Sequence, residues 1–226
     1  MQKIMFNDQY GLTKAVLERK KTQTRRIAMR SAEDAQVLDE LELKPEDKNI
    51  IQYVIDKYSH YKVGETLAIA ESYQMLWETE PDANIITEAS QVKAYIAKHY
   101  PGYTVEQINR CAGWKNKMFV KAELMPHQIR ITDIRLERLQ DISDEDCLAE
   151  GIRRWEDEEE YRISERVRNS VDEMIAAGYD AYAIPGHWGC FTSPKDAYAD
   201  LIDKVSGKGT WEKNPWVFVY DFELVK

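Results

Sequence analysis

The stretch Trp216–Val225 constrains the fold more than any other part of the chain. Trp216, Phe218, Tyr220, Phe222 and Leu224 alternate with Val217, Val219, Asp221, Glu223 and Val225. A period of two is the signature of a β-strand. Here both faces are largely apolar, so both need cover, and the strand belongs in the middle of a sheet rather than at its edge. Pro215 stands just before the stretch and none lies within it, so hydrogen-bonding ladders can form on both sides.

The other strand signals are scattered. Val63-Gly64-Glu65 reads as a turn into a buried strand, Thr66-Leu67-Ala68-Ile69-Ala70. Lys117–Leu139 is the longest strand-like region. Its apolar positions change parity, from Ile129 and Ile131 to Ile134 and Leu136. A bulge near Thr132-Asp133 would keep both sets on the core side.

Helices are expected in between. Asn7 or Asp8 can cap a first helix reaching about Lys20, with Gly11 inside it at a cost of about 1 kcal/mol relative to alanine. Lys44-Pro45-Glu46 opens a second, with Ile51, Val54, Ile55 and Tyr58 on one face. Residues 88–100 and a short segment from Thr104 form two more. Ser143 caps a helix whose first turn, Asp144, Glu145 and Asp146, complements the helix dipole, and Gly151 ends it. Residues 156–178 are amphipathic and charged, Tyr179–Thr192 reads as a loop, and Ser193-Pro194 opens a last helix. Strands scattered among helices without a regular βα alternation predict an α+β fold with a small mixed or antiparallel barrel.

Composition sets the function classes. The chain has 226 residues and a net charge of −9, which disfavours a general duplex-DNA binder. The charge is unevenly spread. Residues 1–30 carry +6, concentrated in Arg19–Arg26, and Asp141–Glu160 carries −8. A compact basic spot on an acidic protein suits a local anion better than a long phosphate track, and a self-compensating solvated surface is the plainer reading. No apolar run approaches the ~18 residues of a membrane span, and the first residues do not read as a secretory signal. Cys111, Cys147 and Cys190 form no CxxC pair, which suits a reducing cytoplasm.

No phosphate loop, dinucleotide glycine motif or nucleophile elbow is present, so no cofactor is expected. His187 and Cys190 have no second pair nearby, which argues against a metal. Two features do suggest chemistry. In Arg19-Lys20-Lys21-Thr22-Gln23-Thr24-Arg25-Arg26 a turn can bring Lys21 and Thr24 to one side, and neighbouring cations lower the Lys21 pKa. A lysine so tuned can act as base for a hydroxyl nucleophile. The alternative is a helix C-terminus decorated with cations favoured by the dipole. The second feature is Glu150, just before Gly151, where the dipole disfavours its negative charge and suits it to acid–base work. The alternative there is simple exposure on a surface helix.

These residues resemble the ASCH-domain family of the PUA-like superfamily. Lys21-Thr22-Gln23-Thr24-Arg25-Arg26 after a helix, Val63-Gly64-Glu65-Thr66-Leu67, Glu71-Ser72-Tyr73, the run Ile131–Ser143, Ala149-Glu150-Gly151 and Asn214–Val219 follow the family's order. They cover about half the chain. Residues 31–60, 76–115 and 153–192 look like insertions of a larger, phage-associated bacterial subgroup within a single domain. The resemblance implies a PUA-like mixed β-barrel with surrounding helices and a cleft between them. It implies Lys21, Thr24 and Glu150 as catalytic residues of an amidohydrolase acting on acetylcytidine. Glu71 and Tyr73 follow as ligand-binding candidates. The family usually has glycine two residues before the lysine, where this chain has Arg19, so a wider turn is expected.

Two functions of different class follow. In an enzyme, Thr24 attacks the acyl carbon, Lys21 is its base and Glu150 protonates the leaving amine. In a non-catalytic module or phage accessory protein, the same cleft reads RNA, single-stranded nucleic acid or a modified nucleoside by stacking, with Arg25 and Arg26 on phosphate.

Overall fold

A computed structural model describes residues 1–29, 31–41, 43–44, 46–79, 115–155, 165–185 and 189–226, together with residues 94, 102 and 107. The described elements run β1 (Lys3–Ile4), α1 (Leu12–Leu17), β2 (Gln23–Ile27), α2 (Ala32–Glu40), α3 (Lys48–Tyr58), β3 (Thr66–Ile69), α4 (Tyr73–Thr79) and β4 (Gln128–Arg138). They continue with α5 (Asp144–Ala149), β5 (Arg153–Arg154), α6 (Glu165–Ala176), β6 (Tyr182–Ala183), α7 (Pro194–Ser206), α8 (Thr210–Lys213) and β7 (Trp216–Leu224). The fold is α+β. No described helix is long and apolar enough to cross a membrane.

Five strands form one mixed sheet in the order β1-β3-β4-β7-β2, and β5 and β6 form a separate pair. β1 is parallel to β3, whereas β2 runs antiparallel to β7 from Gln23↔Asp221 to Ile27↔Val217. β7 therefore lies inside the sheet, as its two apolar faces require. Val217, Phe218, Val219, Tyr220 and Phe222 are all buried. The expected closed barrel is corrected: the order begins at β1 and ends at β2, so the sheet is open. β1 is only two residues long and offers too short a ladder for closure.

The backbone divides into two compact units, each discontinuous in sequence, with β4 running through both. The first comprises Met1–Phe6, Thr66–Arg130 and Val225–Lys226. Its core packs Ala68, Ala70, Tyr73 and Leu76 with Val120, Ala122 and Met125. The second comprises Asn7–Glu65 and Ile131–Leu224. One of its clusters gathers Trp155, Val171, Ala181 and Ala183, with Met174 and Cys190 against them. The parity change in β4 is present: Ile131 and Ile134 are buried, while Thr132 and Asp133 between them are exposed.

Local chemistry explains where the helices differ from expectation. Ser143 and Ser193 cap α5 and α7 by accepting from the backbone N–H groups of Asp146 and Asp196. α3 begins at Lys48 rather than beside Pro45, and α2 was not expected although Ser31 caps it and Glu33 and Asp34 fill its first turn. The two-residue strands β5 and β6 are too short to show a period. The helices expected over 88–100 and from Thr104, like His187, lie outside the described residues apart from single positions.

α1 is shorter than expected at both ends. Gly11 is its N-cap, not an interior residue, with φ 61°, and a Cβ there would meet the Pro185 Cβ at 3.0 Å. At the other end Arg19 has φ 58°. Its N–H donates to the Val16 carbonyl and that of Lys20 to the Ala15 carbonyl, both at 2.9 Å. This is a Schellman ending, with arginine in the left-handed position that glycine normally fills. The turn before Lys21 is thus tight rather than widened. Arg19→Gly is expected to stabilise the protein by about 0.5–1 kcal/mol, because glycine carries no Cβ penalty there. Urea unfolding of the two proteins measures it, and an unchanged or lower midpoint would contradict the strain.

Candidate functional site

The site lies wholly within the second unit, where the ends of α1 and α5 meet the start of β2. After the Schellman turn the Lys21 N–H donates to the Ala15 carbonyl, and the Thr22 N–H to the Ala149 carbonyl at the end of α5. The Phe222 N–H of β7 then donates to the Thr22 carbonyl. Three elements thereby pin Lys21 in place. Gly151, at φ 109°, completes the pocket for its stem: a Cβ there would come within 3.6 Å of the Lys21 Cδ and 3.3 Å of Leu12 Cδ2.

Lys21 and Glu150, separated by 129 positions, form a buried pair. The Lys21 Nζ donates to Glu150 Oε2 at 2.6 Å and to the Glu150 carbonyl oxygen at 2.7 Å. Their side chains are 2% and 5% exposed. Burial pushes the Lys21 pKa below the ordinary lysine value, against the pull of Glu150. Arg26 and Arg25 lower it further. The expected direction therefore holds, with burial rather than like-charge repulsion as the main cause. Glu150 ends α5 as expected and is not a solvated surface carboxylate.

Arg25 departs most from expectation. Its side chain is fully enclosed, so it is not placed as a phosphate-binding arginine. Nη2 donates to Asp146 Oδ2 at 2.8 Å and Glu137 Oε2 at 3.3 Å, and Nη1 to Glu150 Oε1 at 3.3 Å. Nη1 also makes a short hydrogen bond to Gln23 Oε1. Burial opposes its charge, but Glu150 and the other acceptors raise its pKa. Gln23 in turn donates to Asp221 Oδ1 at 2.7 Å and Asp146 Oδ1 at 3.1 Å. Arg135 joins Glu137 to Asp221.

This network was not legible in the sequence. Asp146 reads there as a helix-dipole residue, Gln23 as part of a turn, and Arg135, Glu137 and Asp221 as ordinary strand residues. The only available signal was the alternation of Lys21, Gln23 and Arg25.

That alternation also replaces the turn expected to bring Lys21 and Thr24 to one side. The segment is a strand, not a turn, so Gln23 and Arg25 share one face and Thr24 and Arg26 the other. Thr24 is buried in register with Tyr220, and Arg26 is half-buried opposite Phe218. Among the described residues no hydrogen bond joins the Thr24 hydroxyl to Lys21. Glu71 and Tyr73 belong to the first unit, where Glu71 Oε1 and His127 Nδ1 are 2.9 Å apart. Glu71 and Tyr73 are both buried.

Two further groups lie near the pair. Tyr198 of α7 is buried, and its phenol pKa is raised well above the ordinary value by that burial and then by the charge of Glu150. Burial also pushes the Cys147 thiol up to about 12, which leaves it a poor nucleophile at neutral pH. Among the described residues no cluster of three or more His, Cys, Asp or Glu side chains could hold a metal ion. Cys190 instead donates its S–H to Met174 Sδ at 3.2 Å. In comparisons with known proteins, no family model, curated protein or solved structure matches the chain.

Proposed function

We propose that the Lys21–Glu150 pair is the acid–base centre of an ASCH-type site, on a PUA-like scaffold whose sheet has opened. The substrate class is an acylated nucleoside such as acetylcytidine, met in the cytoplasm as the free nucleoside or within RNA. One observation carries this reading: a lysine and a glutamate from distant parts of the chain meet at 2.6 Å where both are buried. Low polarity disfavours the ion pair and narrows its gap to the neutral pair. In that neutral pair Lys21 is a base and Glu150 an acid. Lys21 would take a proton from the nucleophile attacking the acyl carbon, and Glu150 would give one to the amine as its bond to carbon breaks.

The alternation of β2 turns Thr24 away from this pair, which favours water as the nucleophile. Thr24→Ala then keeps most of the turnover, whereas a threonine nucleophile would make that variant inactive. The enclosure of Arg25 weighs against a site built to grip phosphate, and so against the non-catalytic RNA reader.

The test is release of acetate from acetylcytidine, run beside binding of short RNAs, on wild type, Lys21→Arg and Glu150→Gln. Both variants should lose about 10²–10⁴-fold in rate, the usual worth of a positioned acid or base. Lys21→Arg fails because a guanidinium keeps its proton at neutral pH. The wild-type rate should fall as the pH rises through the Lys21 pKa, which lies below the ordinary lysine value, because the pair then loses the one proton that Glu150 must give. RNA binding without turnover, equal in Lys21→Arg, would favour the reader. A wild-type protein that shows no turnover and binds no RNA would overturn the proposal.

A further inference from the structure

We propose that Arg25 is the positioning residue of this site, its enclosed guanidinium holding one oxygen of Glu150 so that the other stays on Lys21. The inference rests on the acid–base reading of the pair. The two Glu150 oxygens are divided: Oε2 accepts from Lys21 at 2.6 Å and Oε1 from Arg25 Nη1 at 3.3 Å. A carboxylate held at one oxygen can turn about its last bond, whereas one held at both cannot.

The guanidinium is itself fixed from behind. Nη2 is held by Asp146 of α5 and Glu137 of β4, and Nη1 also by Gln23 of its own strand. Gln23 and Arg135 then tie Asp146 and Glu137 to Asp221 of β7. The orientation of Glu150 is thus set by three strands and the helix that carries it. Arg25 is suited to the task because its planar fork addresses two acceptor sets from two nitrogens in a fixed geometry, whereas a lysine ammonium is a single point charge. Among the described residues, the ionisable groups whose charge also reaches the cluster include Arg26 of β2, Tyr198 of α7 and Cys147 of α5, with Asp144 and Lys195 acting on Cys147.

The consequence can be read on Lys21 without substrate. Glu150 raises the Lys21 pKa and Arg25 lowers it. If Arg25 acts only as a nearby charge, Arg25→Gln removes a repulsion and the Lys21 midpoint rises. If Arg25 holds Glu150 in place, the carboxylate turns away in the variant and the midpoint falls. Arg25→Lys sharpens the contrast, because it keeps the charge and loses only the fork.

The experiment is an NMR titration of lysine side-chain nitrogens in ¹⁵N-labelled full-length protein, with the Lys21 signal identified by its loss in Lys21→Arg. Both Arg25 variants should lower the Lys21 midpoint by about half a pH unit or more, within the range by which a close opposite charge shifts a pKa. An unchanged or higher midpoint in Arg25→Lys overturns the proposal. That variant also settles the matter if Arg25→Gln fails to fold, since it leaves the carboxylates a cation. On acetylcytidine, Arg25→Lys should lower kcat about tenfold or more with little change in KM. Absence of wild-type turnover would refute the acid–base reading, while the titration would still decide whether Arg25 orients Glu150.

Discussion

Replacing Glu150 with alanine is expected to cost about 3–5 kcal/mol of folding stability, because it leaves the Lys21 ammonium buried without its counter-charge. Arg25 loses an acceptor in the same step. Removing both members of the pair should cost much less. Lys21→Met combined with Glu150→Leu replaces two buried charges with apolar groups of similar size, and such exchanges are often close to neutral. A double-mutant cycle in urea measures the difference directly.

The deficit should also depend on pH, with a sign set by Lys21. A buried lysine whose folded pKa lies below its unfolded value binds fewer protons folded than unfolded between those two values. Stability therefore rises with pH across that window. In Glu150→Ala the folded Lys21 pKa falls further, since the group that raised it is gone. The penalty should accordingly shrink as the medium is made alkaline and the ammonium loses its proton. A Glu150→Ala penalty below about 1 kcal/mol, the level of an exposed ion pair, would show that the pair is solvated rather than buried.

Deleting residues 217–226 is expected to abolish cooperative folding. β7 lies between β4 and β2, so its loss separates the remaining strands of the sheet. It also removes Val217, Phe218, Val219, Tyr220 and Phe222, each 4% exposed or less. At about 1.5–3 kcal/mol for each buried side chain, the loss is on the order of 10 kcal/mol. That equals the whole stability of a typical domain. The truncated chain should be insoluble or lack a sharp thermal transition. A soluble, cooperatively melting product would mean that β7 is dispensable.

Much of the chain was legible because its signals are local. Two apolar faces at period two placed β7 inside the sheet, since both faces need cover and cover is fullest away from the sheet edge. Ser143, Gly151 and Ser193-Pro194 marked helix ends because capping is a contact between near neighbours in sequence. The parity change in Ile129–Leu136 marked where β4 changes the side it buries. Lys21 and Glu150 stood out for their local electrostatics, and the ASCH-like pattern selected the same two positions.

What the sequence did not contain was the length of the ladders and the identity of distant partners. Closure into a barrel depends on strand length and stagger, and a two-residue β1 supplies neither. The fate of Arg25 turned on which side of a strand it occupies. In a turn it would face solvent beside Arg26, but in β2 it shares a face with Gln23 and meets carboxylates from α5 and β4. Thr24 moved to the other face for the same reason. Arg19 shows the converse: its type argues against a tight turn, yet the Schellman hydrogen bonds hold it at a positive φ. Composition, caps and periodicity act over a few residues and belong to the sequence by itself. The pairing of Lys21 with Glu150, across 129 positions, and the enclosure of Arg25 belong to the tertiary structure, because only folding brings those charges together out of water.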